Sequence, residues 1–355
     1  PICLLAQHPA MAPDDVRNAL VDQAIPLATD VPSGTTDRSV YIGPHQAFED
    51  LDHDGIYDAG TDLLIPNQAL RDGQYTPNGN RSLVIPAAVG PIATADQIEF
   101  RTAGNVTIRP RLSAGRGVRL LADGHLSLSD VALTSDTDQV LLEADSGIDA
   151  TAATFTAGKE VFIRGQGRMH FPEATLRSTG ERIEFDLAGT ASTLTLSSAT
   201  LTAQRDVIIT SDADVTLAGA SIEAAEERAS VHTAGSAIMS HAAVDAMKKV
   251  ILSVGGDITA EGTALTSHNE VIRLISTNAT GQVGLQHAAL TTPKAIEVEG
   301  GGTSGLLSVG GAAFSDNDDT VLITPRCLPV DGVPASGHVA NHCDAEDGGE
   351  DGDGN

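Results

Sequence analysis

The 355-residue chain carries 21 basic against 48 acidic residues; the resulting net charge of −27 repels phosphate backbones and argues against nucleic acid as a partner. Apolar residues make up 41% but aromatic ones only 3%, with no Trp and 36 Gly. That composition disfavours a bulky globular core or an aromatic sugar-binding platform and suits thin, aliphatic β layers.

Only four Lys (Lys159, Lys248, Lys249 and Lys294) stand among the basic residues. A Lys-poor acidic surface fits divalent cations and a saline (halophilic), extracellular or cell-surface setting. No apolar run reaches the roughly 18 residues of a membrane span. Three Cys do not make a disulfide framework. The chain opens on Pro1 without a complete signal peptide, and reads as a mature product or an excised fragment.

In chain order, the first expected element is an amphipathic helix within 1–30. In LLAQHPAMAPDDVRNALVDQAI (4–25), Pro13 suits a first helical turn, Asp14 and Asp15 suit its positive end, and Val16, Leu20 and Ala24 mark one face. The stretch also resembles the segment after the catalytic serine in subtilisin-like proteases, where A-L-L-x-x-x-P leads to V-R-x-A-L. That family's G-T-S-x-A-x-P segment is absent, and His8 lies in the wrong context to be its base. The resemblance implies a non-catalytic region downstream of a peptidase; a plain amphipathic helix is the alternative.

Residues 31–94 read as a linker and N-terminal cap containing QAFEDLDHDGIYDAGTDLL (46–64). Asp50, Asp52, Asp54, Gly55 and Asp58 fall at positions one, three, five, six and nine of a twelve-residue calcium loop. Alternate residues of a tight turn supply converging oxygens, Gly permits the reversal, and the Ile56 carbonyl takes position seven. Position twelve is Thr61 rather than the bidentate Glu, and Asp62, one step later, is the candidate for the last ligand. The pattern resembles thrombospondin type 3 and dockerin-like loops, which implies structural Ca²⁺; an acidic solvated turn is the alternative.

From 95 to 325 a skeleton of three elements recurs every 21 to 25 residues. Its first pair runs from Val118/Leu120 through Val207/Ile209 to Ile296/Val298, its second from Leu126/Leu128 to Leu307/Val309, and its third ends at Leu133 through Phe314. Ile98/Phe100 and Val106/Ile108 read as a degenerate first coil. Period two within each element means a strand with one buried face, and only stacking successive copies buries those faces. The fold expected is all-β: a right-handed parallel β-helix of about ten coils with a period near 22 residues, preceded by a short α-helix and a calcium-loop linker. The repeats resemble the parallel β-helix coils of filamentous-haemagglutinin-type adhesins. The resemblance implies surface adhesion; β-helical polysaccharide lyases and hydrolases share the architecture.

Arg164, Arg168, His170, Arg177 and Arg182, with Lys159, cluster within two coils and are candidates for contact with a polyanion. Salt bridges to Glu160, Glu173 and Glu181 are the alternative. The eleven His show no shared phase along the coils. An outward row from Ala132 through Thr154, Thr175, Thr200 and Ser221 to Ala313 is small and flat, suiting a partner or a sister fibre; ordered water is a weaker alternative. Outward Leu141, Phe162, Ile208 and Ile251 indicate a covered face.

Residues 326–343 read as a C-terminal cap loop. A disulfide between Cys327 and Cys343 would contribute about 3 kcal/mol there, leaving Cys3 over. Residues 344–355 read as a disordered acidic tail. The function expected is a non-enzymatic extracellular or cell-surface scaffold, adhesive or self-associating along the solenoid, with structural calcium and with a surface polymer or protein as partner. A polysaccharide-active enzyme and a peptidase's non-catalytic region are the alternatives.

Overall fold

A computed structural model describes residues 46–58, 61–66, 69–70, 73–77, 79–300, 307–315, 319–323 and 339–342. The expected helix in 4–25, the Cys327–Cys343 bridge, Cys3 and the acidic tail lie outside the described residues. The described part is an all-β parallel β-solenoid of eleven coils, each contributing one strand to each of three sheets. Coil 1 comprises Gln74–Tyr75, Ser82–Ile85 and Ile92–Thr94. Coil 2 comprises Ile98–Thr102, Val106–Ile108 and Leu112–Ala114, and is complete rather than degenerate. Coil 11 comprises Ala295–Glu299, Leu307–Ser308 and Ala313–Ser315. The first sheet then continues through Asp319–Ile323 and Val339–His342.

Every coil strand pairs in parallel with its counterpart in the next coil without a shift in register. Val118 lies beside Val140, Val140 beside Val161, Val161 beside Ile183 and Ile183 beside Val207. Alternate side chains on each strand therefore form columns, and the inward columns are almost wholly shielded from solvent. Phe171 joins this interior edge-on to Phe155 at 6.4 Å and to Phe185 at 5.5 Å, so one aromatic cluster links the walls of three successive coils.

Corners use two devices. Between the second and third strands of coils 3 to 11, one residue takes a left-handed backbone: Asp130, Ala152, Glu173, Ser198, Gly219, His241, Gly262, His287 and Gly311. In coils 3 to 10 its amide donates to a carbonyl of the next coil, as from His241 to Glu261 at 2.8 Å and from Gly262 to Gln286 at 2.9 Å. His241 and His287 thus do share a phase, which only the corner geometry makes visible. Between the third and first strands, buried hydroxyls bridge neighbouring rungs. Ser135, Ser178, Ser267 and Thr292 donate to the carbonyls of Arg116, Lys159, Lys248 and Glu270. The same hydroxyls accept from the amides of Asp138, Glu181, Glu270 and Lys294 at 3.2–3.4 Å.

The N-terminal end is closed differently. Strand β1 (Phe48–Asp50) runs antiparallel to Ser82–Ile85 of coil 1, and β2 (Leu63–Leu64) runs antiparallel to β1. Glu49 is directly opposite Leu83, on the inward side, and is 1% exposed. Its carboxylate accepts from the Tyr75 hydroxyl at 2.6 Å and from Arg81 Nη1 at 2.7 Å. Burial, with Glu49 beside it, pushes the Tyr75 hydroxyl well above the ordinary tyrosine range.

Candidate functional site

The acidic loop joins β1 to β2 and folds over the outer face of this cap. Phe48 and Asp50 sit on that face opposite Val84 and Ser82. Tyr57 packs edge-on against Phe48 at 5.6 Å, and His53 Nδ1 lies 2.6 Å from Ser82 Oγ. His53 and Gly55 both have positive φ, 64° and 79°, which turns the chain back sharply.

Asp50, 1% exposed, organises the turn: Oδ1 accepts from the His53 amide at 2.7 Å and Oδ2 from the Gly55 amide at 2.9 Å. Asp54 Oδ1 accepts from the Ile56 amide at 2.7 Å. Asp62, one step beyond the twelve-residue count, turns its carboxylate into the loop. Its Oδ1 accepts from the Leu51 amide at 3.1 Å and its Oδ2 from the Asp58 amide at 2.8 Å. Two overlapping carboxylate triads result, Asp50/Asp52/Asp62 and Asp52/Asp54/Asp58, with the oxygens of each within 4.8 Å of one another. Asp52 belongs to both.

Such crowding is costly without a counter-charge. Burial is the main force holding the Asp50 carboxyl above the usual carboxylate range; the Gly55 and His53 amides oppose it, and Asp52 and Asp62 add to it. A hard divalent cation matches this donor set, since it takes oxygen ligands at high coordination number and removes the repulsion. Asp50, Asp52, Asp54, Asp58 and Asp62 are the carboxylates these triads would offer it; the Ile56 carbonyl is a ligand expected from the loop count alone.

The basic residues that adjoin in sequence are spread around the cross-section. Arg164 is on the first sheet, Arg168 and His170 are on the second, Arg177 is on the third, and Arg182 precedes the next first-sheet strand. Arg164 pairs with Glu143 at 2.9 Å, and Arg182 with Glu160 at 3.2 Å and Glu184 at 3.0 Å. Arg168 Nη2 approaches His170 Nδ1 at 3.4 Å.

The outer faces differ from one another. On the third sheet, Ala132, Thr154, Thr175, Thr200, Ser221 and Ala243 form one in-register column. The column beside it is broken by Arg177, Glu223 and Asp245. On the first sheet, Leu141, Phe162, Glu184, Ile208, Ser230 and Ile251 stack in one column. Arg119 closes it at one end, paired with Glu99 at 3.1 Å, and Arg273 at the other, paired with Glu297.

The corner leading into the first sheet carries a pattern missed by a search anchored on apolar pairs. Two residues before the first apolar anchor of coils 2 to 11 stand Asp96, Arg116, Asp138, Lys159, Glu181, Arg205, Glu227, Lys248, Glu270 and Lys294. The sign alternates at every step. Ion pairs join Arg116 to Asp96 at 3.7 Å, Lys159 to Asp138 at 3.3 Å and Lys248 to Glu227 at 2.6 Å. A parallel in-register stack sets each side chain directly above its counterpart, so like charges would repel at every rung. Arg228–Asp206 at 3.4 Å and Lys249–Glu270 at 3.2 Å extend the ladder sideways, walling a shallow cleft of about 400 Å³.

Among the described residues, no helix is long and apolar enough to cross a membrane. No family model, curated protein or solved structure matches the chain. The likenesses to adhesin coils, dockerin-like loops and subtilisin-like proteases therefore gain no support beyond the residues that suggested them.

Proposed function

We propose that this chain is a non-enzymatic structural or adhesive scaffold of an extracellular or cell-surface, saline setting, with its N-terminal cap stiffened by Ca²⁺. The observation carrying this reading is the unbroken register of the outer columns, where most basic side chains are already paired with acids of the same chain. A catalytic groove for an acidic polymer needs several cations facing one ligand, whereas Arg164, Arg168, Arg177 and Arg182 are divided among three sheets. The Lys-poor acidic composition supports the saline setting, and the two Asp triads support the metal.

Incubation of the full chain with alginate, pectate and neutral glycans, followed for new reducing ends and unsaturated products, tests the non-enzymatic part. No turnover together with retention on immobilised surface polymer is the expected outcome. Measurable cleavage overturns the scaffold reading in favour of a lyase or hydrolase.

A further inference from the structure

We propose that the first sheet and its leading corner form the contact face between two antiparallel copies of this chain. The inference rests on the scaffold reading and deepens it by naming a partner. In a chain of net charge −27, most of the surface repels a second copy. The alternating ladder is an exception, since its five acidic and five basic residues sum to zero.

A ladder of alternating sign with an even number of rungs complements itself. Consider a twofold axis lying in the face, along the strands, midway between coils 6 and 7. Coil 2 then meets coil 11, and coil 5 meets coil 8. Each rung faces its opposite: Asp96 meets Lys294, Arg116 meets Glu270, Asp138 meets Lys248, Lys159 meets Glu227, and Glu181 meets Arg205. A parallel pairing instead sets every charge against itself.

The adjoining outward column fits the same operation. Leu141 meets Ile251, Phe162 meets Ser230, and at the centre Glu184, paired with Arg182 of its own chain at 3.0 Å, meets Ile208. Ser230 is 2% exposed between Ile208 and Ile251 in the column, and its hydroxyl has no hydrogen-bond partner. A large ring thus faces the smallest residue of the column. At the two ends Glu99 meets Glu297 and Arg119 meets Arg273, but each of these is already neutralised within its own chain. Exposed ion pairs contribute little affinity, so the apolar members of the column, Leu141, Phe162, Ile208 and Ile251, hold the copies together and the ladder selects their direction.

Sedimentation velocity of the full chain, at one fixed physiological ionic strength, tests the dimer. Salt is held constant because it screens both the overall repulsion and the ladder's attraction. A concentration-dependent dimer is expected. Phe162→Glu should weaken it at least roughly tenfold, as truncation of a central aromatic anchor does, while Thr175→Glu on the third sheet should not. Direction is read by crosslinking in a chain whose Cys3, Cys327 and Cys343 are replaced by Ser. Lys159→Cys/Glu227→Cys should give a covalent dimer, and neither single substitution should. Monomers at every attainable concentration, equal weakening by Thr175→Glu, or crosslinking by either single variant overturns the proposal. Polymer cleavage would remove the scaffold reading without altering any of these readouts.

Discussion

The imidazole of His241 fills the space that a β-carbon on Gly262 would need, with Nδ1 2.6 Å from that point. Both residues hold the left-handed corner position, one coil apart. His287 stands to Gly311 in the same way, also at 2.6 Å. Gly262→Ala therefore carries both a backbone cost of about 1–2 kcal/mol for a left-handed L-residue and a collision with the ring. Urea unfolding should show His241→Ala relieving the collision and leaving the backbone cost. Equal losses with and without the ring would contradict the contact.

The acidic loop predicts a metal response centred on Asp52, the exposed carboxylate shared by both triads. Calcium at about a hundred times its dissociation constant should stabilise the wild type by roughly 2.7 kcal/mol, seen as a raised Tm that chelator abolishes. Asp52→Asn should remove most of this shift, and should raise the chelated melt slightly because one of the crowded charges is gone. A wild type whose melting ignores chelator removes calcium from the account.

The pH dependence without metal follows from Asp50. Its folded pKa lies above the unfolded value because of burial, so protonation favours the fold. The stabilisation is fully present below the unfolded aspartate value, about 3.9, and is lost as pH rises through the raised folded value. Calcium needs the charged carboxylate, so its Tm increment should grow across that same window. Melts of wild type and Asp50→Asn, each with chelator and with calcium, should show a flatter metal-free profile in the variant.

Two polar contacts of similar length should differ sharply in worth. Ser178 Oγ is buried, donates to the Lys159 carbonyl and accepts from the Glu181 amide at 3.2 Å. Ser178→Ala removes two buried hydrogen bonds, each worth about 0.5–1.5 kcal/mol, while the Glu181 amide keeps its 2.9 Å bond to the Lys159 carbonyl. Arg164 and Glu143 pair at 2.9 Å with side chains 48% and 31% exposed. Solvent screens that pair, so Arg164→Ala should cost less than about 1 kcal/mol. Denaturant midpoints of the two variants decide the order.

Phe171→Ala removes a ring that touches Phe155 and Phe185, and should cost about 3–5 kcal/mol. Because each coil contacts only its neighbours, the loss should be local. Hydrogen exchange should quicken in coils 4 to 6 and stay slow in coils 9 and 10. Uniform acceleration along the solenoid would mean a single cooperative unit.

The inward columns were legible in the sequence because stacking forces Val207, Ile209, Val215 and Leu217 to repeat the spacing of their neighbours above and below. The alternating ladder was equally periodic but passed unnoticed. Its signal is a sign change between coils, such as Glu181 to Arg205, and a search for apolar pairs begins two residues too late to see it. Coil 1 was hidden because Gln74–Tyr75 is only two residues long and irregular connections separate its strands. A twelve-position count ends at Thr61, so the bidentate role is not legible there, whereas the turn draws in the next carboxylate, Asp62. Arg164, Arg168, Arg177 and Arg182 looked like one group in a linear reading, but a three-sided coil sends neighbours in sequence to different walls.

An alternating ladder also has a parity. Removing or duplicating a single coil between Asp138 and Glu270 would bring two like charges face to face, whereas removing or duplicating two adjacent coils preserves the order of signs. The molecule's length is thereby quantised: growth or shrinkage in twos is electrostatically silent, while growth by one leaves a fault line at the splice.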